Sequence, residues 1–509
     1  MAILKHVHFG QDGQEKLISG INTLADAVKS TLGPKGRTVL IESENHTHGV
    51  VITKDGISVA KSINLLDPVE NLAVGIAREA SEKTATQAGD GTTTSIVLTQ
   101  AIINEARKQL TGVVDMGTVT RELQSIAAKV VDALKEMAVP VTDETLVDVA
   151  TVSANGDAEI GELIAEAYKQ VSYVSVADSK TAETYSEIIQ GIKIDRGIGS
   201  RFFITDQKKN EGVLQNPYVL VSDQKIENLS KLEHVLAPIV QNGDSLLIIS
   251  EMGMNAMNTL NVNAMKGTIK VCQILPPDFG YRRKELMEDI AAMVGARLVS
   301  EDTGDELSLV GMDWLGKADK VISSQEQTVI VGGRGEQSVV DARIEALKGS
   351  TDAFEQQRLA NLTGGIGIIY VGADSEIEQK EKKDRVDDAV CAVRAALEEG
   401  ILAGGGVALF NATTALVESN SKASAILKEA LKAPMRQILK NAGDDWAYVE
   451  GQMDEPGLGF NVRTQRYGNM IKMGVTDPAK VTRTALQNAV SVASTIMGTS
   501  VIVSNVRDL

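Results

Sequence analysis

The sequence predicts a multidomain chain of α and α/β class. Three observations carry that prediction. With 509 residues the chain can hold two to four domains and bury large cores. Its first and last hundred residues share a helical, alanine-rich texture. Between about Lys193 and Gly367, short apolar strands alternate with helices, which is the pattern of an α/β domain. Similar ends around a different middle suggest nested domains.

The elements follow in order. Residues 12–32, DGQEKLISGINTLADAVKSTL, read as an amphipathic helix with Leu17, Ile21, Leu24, Val28 and Leu32 on one stripe. Gly33 and Pro34 stop it. TVLIE reads as a strand, and GVVITKDGISVA as a β-hairpin with Asp55-Gly56 in its turn. Helical sequence runs from about Asn71 to Met137, with one helix starting near Ser95. In the middle, the strands PYVLVS, SLLIIS, IKVCQIL and TVIVGG alternate with helices LSKLEHVLAPIVQN and RRKELMEDIAAMV. From Glu376 the chain is helical again.

Composition narrows the function. Hydrophobic residues at 43% and charged residues at 23% describe an ordinary globular protein. Aromatics at 3% leave alanine, valine and isoleucine to fill the interior, which fits closely packed helices. The balance of 51 basic against 68 acidic residues gives −17. That excludes the electrostatic footprint of a nucleic-acid binder and the basic face expected against anionic membranes. No run approaches the roughly 20 apolar residues of a membrane span, and MAILKHVHFG lacks the core of a signal peptide. The expected location is the cytoplasm. Cys272 and Cys391 lie far apart in apolar or helical contexts and read as free thiols. His6/His8 and His46/His48 have a spacing that puts two rings on one strand face, without an evident third ligand for a metal.

The stretch AGDGTTTS, Ala88 to Ser95, is an awkward way to begin a helix, because threonine is a mediocre helix former. It makes chemical sense as a phosphate cradle. Helix N-termini expose unpaired N–H groups and partial positive charge. Glycines at 89 and 91 permit close approach, and Thr92, Thr93 and Thr94 add hydroxyl donors. Asp90 is a hard oxygen ligand suited to Mg²⁺ that carries phosphate oxygens. Read alone, the stretch fits equally a plain turn closed by a threonine N-cap. No GxxxxGK[ST] sequence occurs. TLGPKGRT and AGGGVALF are glycine-rich, and each alone reads as a helix stop or a connector.

The combination is specific. TLGPKGRTVLIE, ITKDGISVAKSI, AGDGTTTSIVL, VSANGDAEIGELIAEA, EKKDRVDDAVCAVRAALEEGILAGGGVAL and YGNMIKMGVTDPAKVTRTALQNAVSVAS occur in this order. Together they resemble the group I chaperonins, the GroEL type, over nearly the whole chain. The resemblance implies the chaperonin fold. A mostly helical equatorial domain would span 1–135 and 399–509, a small hinge domain 136–190 and 367–398, and an α/β apical domain 191–366. It implies subunits in homo-oligomeric, heptameric rings, one or two, with non-native protein clients and a co-chaperonin lid as a candidate partner. It implies ATP and Mg²⁺, with K⁺ a further candidate cation.

Site residues carry over singly. Asp90 matches the Mg²⁺ ligand of the family, and Gly91, Thr92, Thr93 and Thr94 its phosphate cradle. Thr31, Leu32, Gly33 and Pro34 resemble the loop lying on the nucleotide. Lys54 and Asp55 match residues near the γ-phosphate. Asp388 matches the acid that positions the attacking water; without the resemblance it reads as a solvated acid on a charged helix. Ser153 matches a further nucleotide contact, Gly404 and Gly405 the ribose-side glycines, Asn461 and Val462 residues along the base, and Asp477 the acid holding the ribose hydroxyls. Ile198, Phe202, Phe203, Leu229, Leu236, Met257 and Val262 match the client groove of the apical domain. Arg196 and Glu376 match a pair that links neighbouring subunits.

The sequence also departs from the family. Glu233 and Asn261 stand where the family has apolar groove residues, and SNVRDL replaces a glycine–methionine tail. The leading reading is an ATP-hydrolysing, ring-forming folding chaperone. A chaperonin-like scaffold without a productive ATP cycle is the alternative, against which Asp55, Asp90 and Asp388 weigh together. A small-molecule kinase would need a compact substrate pocket, and about 175 residues here form an inserted domain without an evident catalytic cluster.

Overall fold

The computed structural model describes residues 5–42, 50–110, 115–171, 173–207, 209–350, 352–416, 421–453 and 455–505. His46 and His48 lie outside them. The chain forms two compact units, Met1–Ala165 with Val371–Leu509, and Glu166–Tyr370.

The first stretch contains β1 (Lys5–Phe9), α1 (Gly10–Val28), β2 (Val39–Glu42), β3 (Val50–Thr53), α2 (Gly56–Ser62), α3 (Pro68–Ala88), α4 (Thr92–Gln109), α5 (Met116–Met137), α6 (Asp143–Ser153) and α7 (Ala158–Gln170). On α1 the predicted stripe is buried at Leu17, Ile21, Leu24 and Val28. The helix ends earlier than expected. A single 3₁₀ turn, Lys29–Thr31, follows it, and Leu32 is extended and half-buried. α3 opens on an Asp67 cap with Pro68 behind it, a pairing suited to a helix start.

The predicted hairpin around Asp55-Gly56 is corrected. β3 pairs antiparallel with β2, from Val39↔Thr53 to Glu42↔Val50. Asp55 instead caps α2: its carboxylate accepts from the N–H groups of Ile57 at 3.0 Å and Ser58 at 2.9 Å, and from the Ser58 hydroxyl at 2.7 Å. Three donors on one carboxylate outweigh the turn preference of an Asp-Gly pair. α4 starts at Thr92, three residues before the predicted start. It is buried nearly all round, with Ile96, Val97, Leu98, Ile102, Ile103 and Ala106 at 3% exposure or less. Each large apolar side chain there contributes roughly 1.5–3 kcal/mol, far more than three threonines lose in helix propensity.

The middle stretch contains β4 (Val174–Asp178), β5 (Tyr185–Ile194), β6 (Gly212–Gln215), β7 (Tyr218–Val221), α8 (Glu233–Asn242), β8 (Ser245–Ile249), α9 (Met254–Met265), β9 (Lys270–Ile274), α10 (Gly280–Val294), β10 (Gly316–Ser323), β11 (Thr328–Gly333), α11 (Gln337–Leu347), α12 (Ala353–Thr363) and β12 (Gly365–Val371). The described strands join in a nine-stranded sheet, ordered β4-β12-β5-β11-β10-β7-β8-β9 with β6 on β10. β7, β8 and β9 run parallel, Tyr218↔Leu246 and Leu246↔Val271, with α8 and α9 as crossovers. SLLII is buried at every residue, as a parallel strand covered on both faces should be.

The last stretch contains α13 (Glu376–Glu399), β13 (Ile401–Ala403), α14 (Val407–Asn411), α15 (Lys422–Ala430), α16 (Ala433–Ala442), α17 (Trp446–Glu450), β14 (Leu458–Asn461), β15 (Arg466–Asn469), β16 (Thr476–Pro478), α18 (Ala479–Gly498) and β17 (Val501–Asn505). α18 packs against α3, α4 and α5, and β17 pairs with β1 from Lys5↔Asn505 to Phe9↔Val501. The main helical core therefore draws on α1, α3, α4, α5, α15 and α18, that is, on both chain ends. Among the described residues no helix is long and apolar enough to cross a membrane.

Candidate functional site

The glycine–aspartate–threonine stretch is the turn between α3 and α4. Gly89 ends α3 with φ +77, and Gly91 precedes α4 with φ +86, both in the left-handed region that glycine favours. Neither position has room for a side chain. A Cβ at Gly89 would lie 2.3 Å from Cβ of Cys391, and one at Gly91 2.8 Å from Cγ1 of Val481. Asp90 is thereby fixed between them, and its Oδ1 accepts the Gly91 N–H. Thr92, Thr93 and Thr94 form the half-buried first turn of α4, whose N-terminus has no side-chain cap.

Three more carboxylates reach this turn on separate elements. α2 brings Asp55, and its Gly56 lies so close to the turn that a Cβ there would sit 2.0 Å from the Thr93 hydroxyl. α13 brings Asp388, three residues before the Cys391 that packs on Gly89. β16 brings Asp477, four residues before the Val481 that packs on Gly91. The register of β13 on β16 sets Leu402 opposite Asp477, so the following glycines fold over that acid. The Gly404 N–H donates to the Val475 carbonyl at 2.9 Å. Gly405 and Gly406, with φ +67 and +81, donate their N–H groups to the Asp477 carboxylate.

The electrostatics follow from this crowding. Burial, then the charge of Asp55, raises Asp90 above the usual carboxylate range, against the pull of the Gly91 N–H. Burial raises Asp388 well above that range, with the charges of Asp90, Asp55, Asp387 and Asp384 adding to it. Burial and the charge of Asp90 push Asp477 up to about 6, despite its two glycine N–H donors. Asp55, Asp90, Asp388 and Asp477 nevertheless keep part of their surface in contact with solvent. These four groups are crowded by protein, charged alike and still accessible. Perturbed acids of this kind mark functional sites more often than structural ones.

The remaining candidate residues lie on several elements of the chain. Thr31, Leu32, Gly33 and Pro34 form the turn after α1, and Gly33 (φ +84) lies against Ile438 of α16. Asn441 of α16 donates to the carbonyls of Lys29 at 2.9 Å and Leu32 at 2.8 Å. Ser153 ends α6, which packs on α13 and β16. Lys54 is exposed in the link before α2. Asn461 ends β14, and its Oδ1 accepts from the N–H groups of Arg463 at 3.0 Å and Thr464 at 3.3 Å. Val462 is buried in a small core with Val407, Met435 and Met470. Sequence reasoning missed Gly406, Cys391, Val481 and Asn441. Only Gly406 had a local signal, as the third glycine of AGGG.

Asp90 beside hydroxyls and a helix N-terminus is a hard-oxygen donor set. Among the described residues no group of three or more His, Cys, Asp or Glu closes around a metal. The hard carboxylate of Asp90 fits Mg²⁺, which takes one or two carboxylates and completes its shell with phosphate oxygens and water. His6 and His8 share one face of β1, with ring centroids 5.9 Å apart.

The residues expected to form a client groove all lie in the unit Glu166–Tyr370. Phe202 and Val262 are exposed, at 39% and 48%. Ile198, Leu229, Leu236 and Met257 are half-buried against the core. Phe203 is corrected: at 2% exposure it is part of that core and offers no contact surface, because the 3₁₀ turn Arg201–Phe203 packs against α9 and β9. Glu233 is exposed at the start of α8, and Asn261 is half-buried with its Oδ1 unpartnered.

Comparison with known proteins identifies the family and the fold. A model of the TCP-1/cpn60 chaperonin family matches residues 24–507. Among solved structures the chain is similar to chaperonin gp146 from the bacteriophage EL 2 (Pseudomonas aeruginosa), crystallised in two forms in the presence of ATP-BeFx. Identity is 22% with a TM-score of 0.66 in form II, and 23% with 0.62 in form I, over 99% of both chains in each. The multidomain α and α/β fold expected from the sequence is therefore the chaperonin fold, and the chain belongs to the TCP-1/cpn60 chaperonin family.

Proposed function

We propose that this chain is the subunit of an ATP-dependent, ring-forming chaperonin that binds non-native proteins and assists their folding. One observation carries the reading: Asp55, Asp90, Asp388 and Asp477 come from four separate elements and converge on the glycine–threonine start of α4. A fold that gathers like charges at such a point loses stability unless a ligand of opposite charge is bound there. Mg²⁺ would supply that charge and would also offset the phosphates of a nucleotide; gp146 was crystallised in the presence of ATP-BeFx.

The residues divide the chemistry. Asp90 would hold Mg²⁺, which would neutralise phosphate charge. Gly91 and Thr92–Thr94 would receive the phosphates, and Lys54 and Asp55 would border the terminal one. Asp388 accepts a hydrogen bond from the attacking water; its raised basicity suits that task. Gly404, Gly405 and Asp477 would face the ribose, Asn461 and Val462 would lie along the base, and Ser153 would be a further nucleotide contact. Phosphoryl transfer to water rests mainly on such positioning and charge neutralisation. A three-part division at 135, 190, 366 and 398 would let the hinge carry Asp388 toward the cleft, coupling hydrolysis to closure. Phe202 and Val262 would be the exposed contacts for clients, with the half-buried Ile198, Leu229, Leu236 and Met257 behind them.

The test is Asp388→Ala. ATP binding is retained and steady-state turnover falls by roughly 10²–10⁴. Unchanged hydrolysis would sink the role, and a parent protein without ATPase activity would favour the scaffold reading. Negative-stain electron microscopy of the purified protein should show rings.

A further inference from the structure

The turn after α1 raises a physical question that the cleft itself does not answer. Its carbonyls at Lys29 and Leu32 lie at the end of a helix, where acceptors need partners from outside the α-helical ladder; that of Lys29 accepts the Leu32 N–H at 3.2 Å. Here both are taken by one side chain from the far half of the chain. Asn441 Nδ2 donates to the Lys29 carbonyl at 2.9 Å and to the Leu32 carbonyl at 2.8 Å. An amide has two N–H groups, and both are used. Its oxygen is held as well: Gln437 Nε2, one turn earlier on α16, donates to Asn441 Oδ1 at 2.7 Å. That bond fixes which way the amide faces. Ile438 lies between them and touches Gly33, where a Cβ would come within 3.1 Å.

α16 packs at the same time against α4, the helix that begins at the phosphate cradle, and α4 packs against the 3₁₀ turn Lys29–Thr31. Lys29 Nζ donates to Gln100 Oε1 of α4 at 3.2 Å. The end of α1 also lies beside the start of α4, since a Cβ at Gly56 would sit 2.0 Å from Thr93 Oγ1 and 3.2 Å from Val28 Cγ1; α16 thus registers the segment Leu32–Pro34 against α4. We infer that Asn441, oriented by Gln437, is a positioning residue for ATP: it sets the height of Leu32–Pro34 over the nucleotide without touching it. The inference rests on the nucleotide reading of the cleft proposed above.

The test uses the full-length protein with Mg-ATP. Two hydrogen bonds of ordinary strength correspond to about a ten- to thirty-fold change. Asn441→Ala should raise KM for ATP by about that factor while kcat stays within about two-fold. Gln437→Ala, which leaves the amide in place but free to turn, should give a smaller rise in KM. It also serves if Asn441→Ala does not fold. Amide hydrogen exchange gives a readout independent of nucleotide. Gly36 N–H donates to Gly33 and Arg37 N–H to Ser30, each at 2.8 Å, so peptides covering 29–37 should exchange faster in both variants. Unchanged exchange, or faster exchange with KM unmoved, overturns the positioning role. A parent protein that neither binds nor hydrolyses ATP overturns the nucleotide reading and this role with it. The exchange data then still report whether Asn441 holds the segment.

Discussion

Asp477 concentrates the conflict of the cleft in one side chain. Two glycine N–H groups favour its charge, while burial and Asp90 oppose it, and opposition wins: the folded value is about 6 against 3.8 for the free group. Between those values the folded chain keeps a proton that the unfolded chain has lost. Folding then takes up a proton, and stability falls as pH rises from about 4 to about 6. Asp477→Asn removes the charge at constant shape. In chelator-treated, nucleotide-free buffer the variant should resist urea better than the parent at pH 7.5, with an advantage that shrinks toward pH 4.5. An equal gain at both pH values would contradict this account. The same variant should bind ATP more weakly, since the acid that weakens the bare fold is the one proposed to hold the ribose. Stability and function pull apart at this residue, as they often do where a site is preorganised for a ligand.

Elements succeed or fail by how their ends and faces are satisfied. In Glu166–Tyr370 three helices are tied by one buried acid. Asp289 of α10, at 1% exposure, accepts from Arg358 of α12 at 2.7 and 2.9 Å and from Arg343 of α11 at 2.9 Å. Arg358→Met should therefore cost about 3–5 kcal/mol, the usual consequence of stripping a buried charge of its partner. The chain has two tryptophans, so Trp314 fluorescence in a Trp446→Phe background reports this unit's urea transition. No shift in the midpoint would show that Arg343 alone suffices. Legibility also varied by element. The stripe on α1 and the β7–β8–β9 crossovers were readable because their periodicity is local. The Asp55 hairpin was misread because Asp-Gly is a turn pair and Asp-Gly-Ile-Ser is a capping sequence, and only the Ser58 contacts decide between them. The phosphate turn could be proposed from AGDGTTTS alone. Asp388 and Asp477 gained meaning only through the resemblance, as their helix and strand look unremarkable in isolation. Asn441 carried no signal at all, since the Leu32 carbonyl it serves is 409 residues away.

On the scale of the molecule, the two units differ in how they use the chain. Glu166–Tyr370 is continuous and encloses its own core and sheet. Expressed as a separate fragment it should fold cooperatively, with a single urea transition in far-ultraviolet circular dichroism. A molten, non-cooperative fragment would show that it depends on the rest of the chain. The other unit is discontinuous, and its cleft needs both parts: Asp55 and Asp90 come before the inserted unit, Asp388 and Asp477 after it. The packing of α18 on α3, α4 and α5 has a consequence for biosynthesis. When the ribosome has finished α5, the faces of these helices that α18 will cover have no partner, and they wait while more than three hundred further residues are made. At common translation speeds, about 5–20 residues per second, that wait lasts tens of seconds. A nascent member of a chaperone family is thus itself a long-lived unfinished client, and a chain truncated before residue 479 displays the kind of surface such proteins are made to cover.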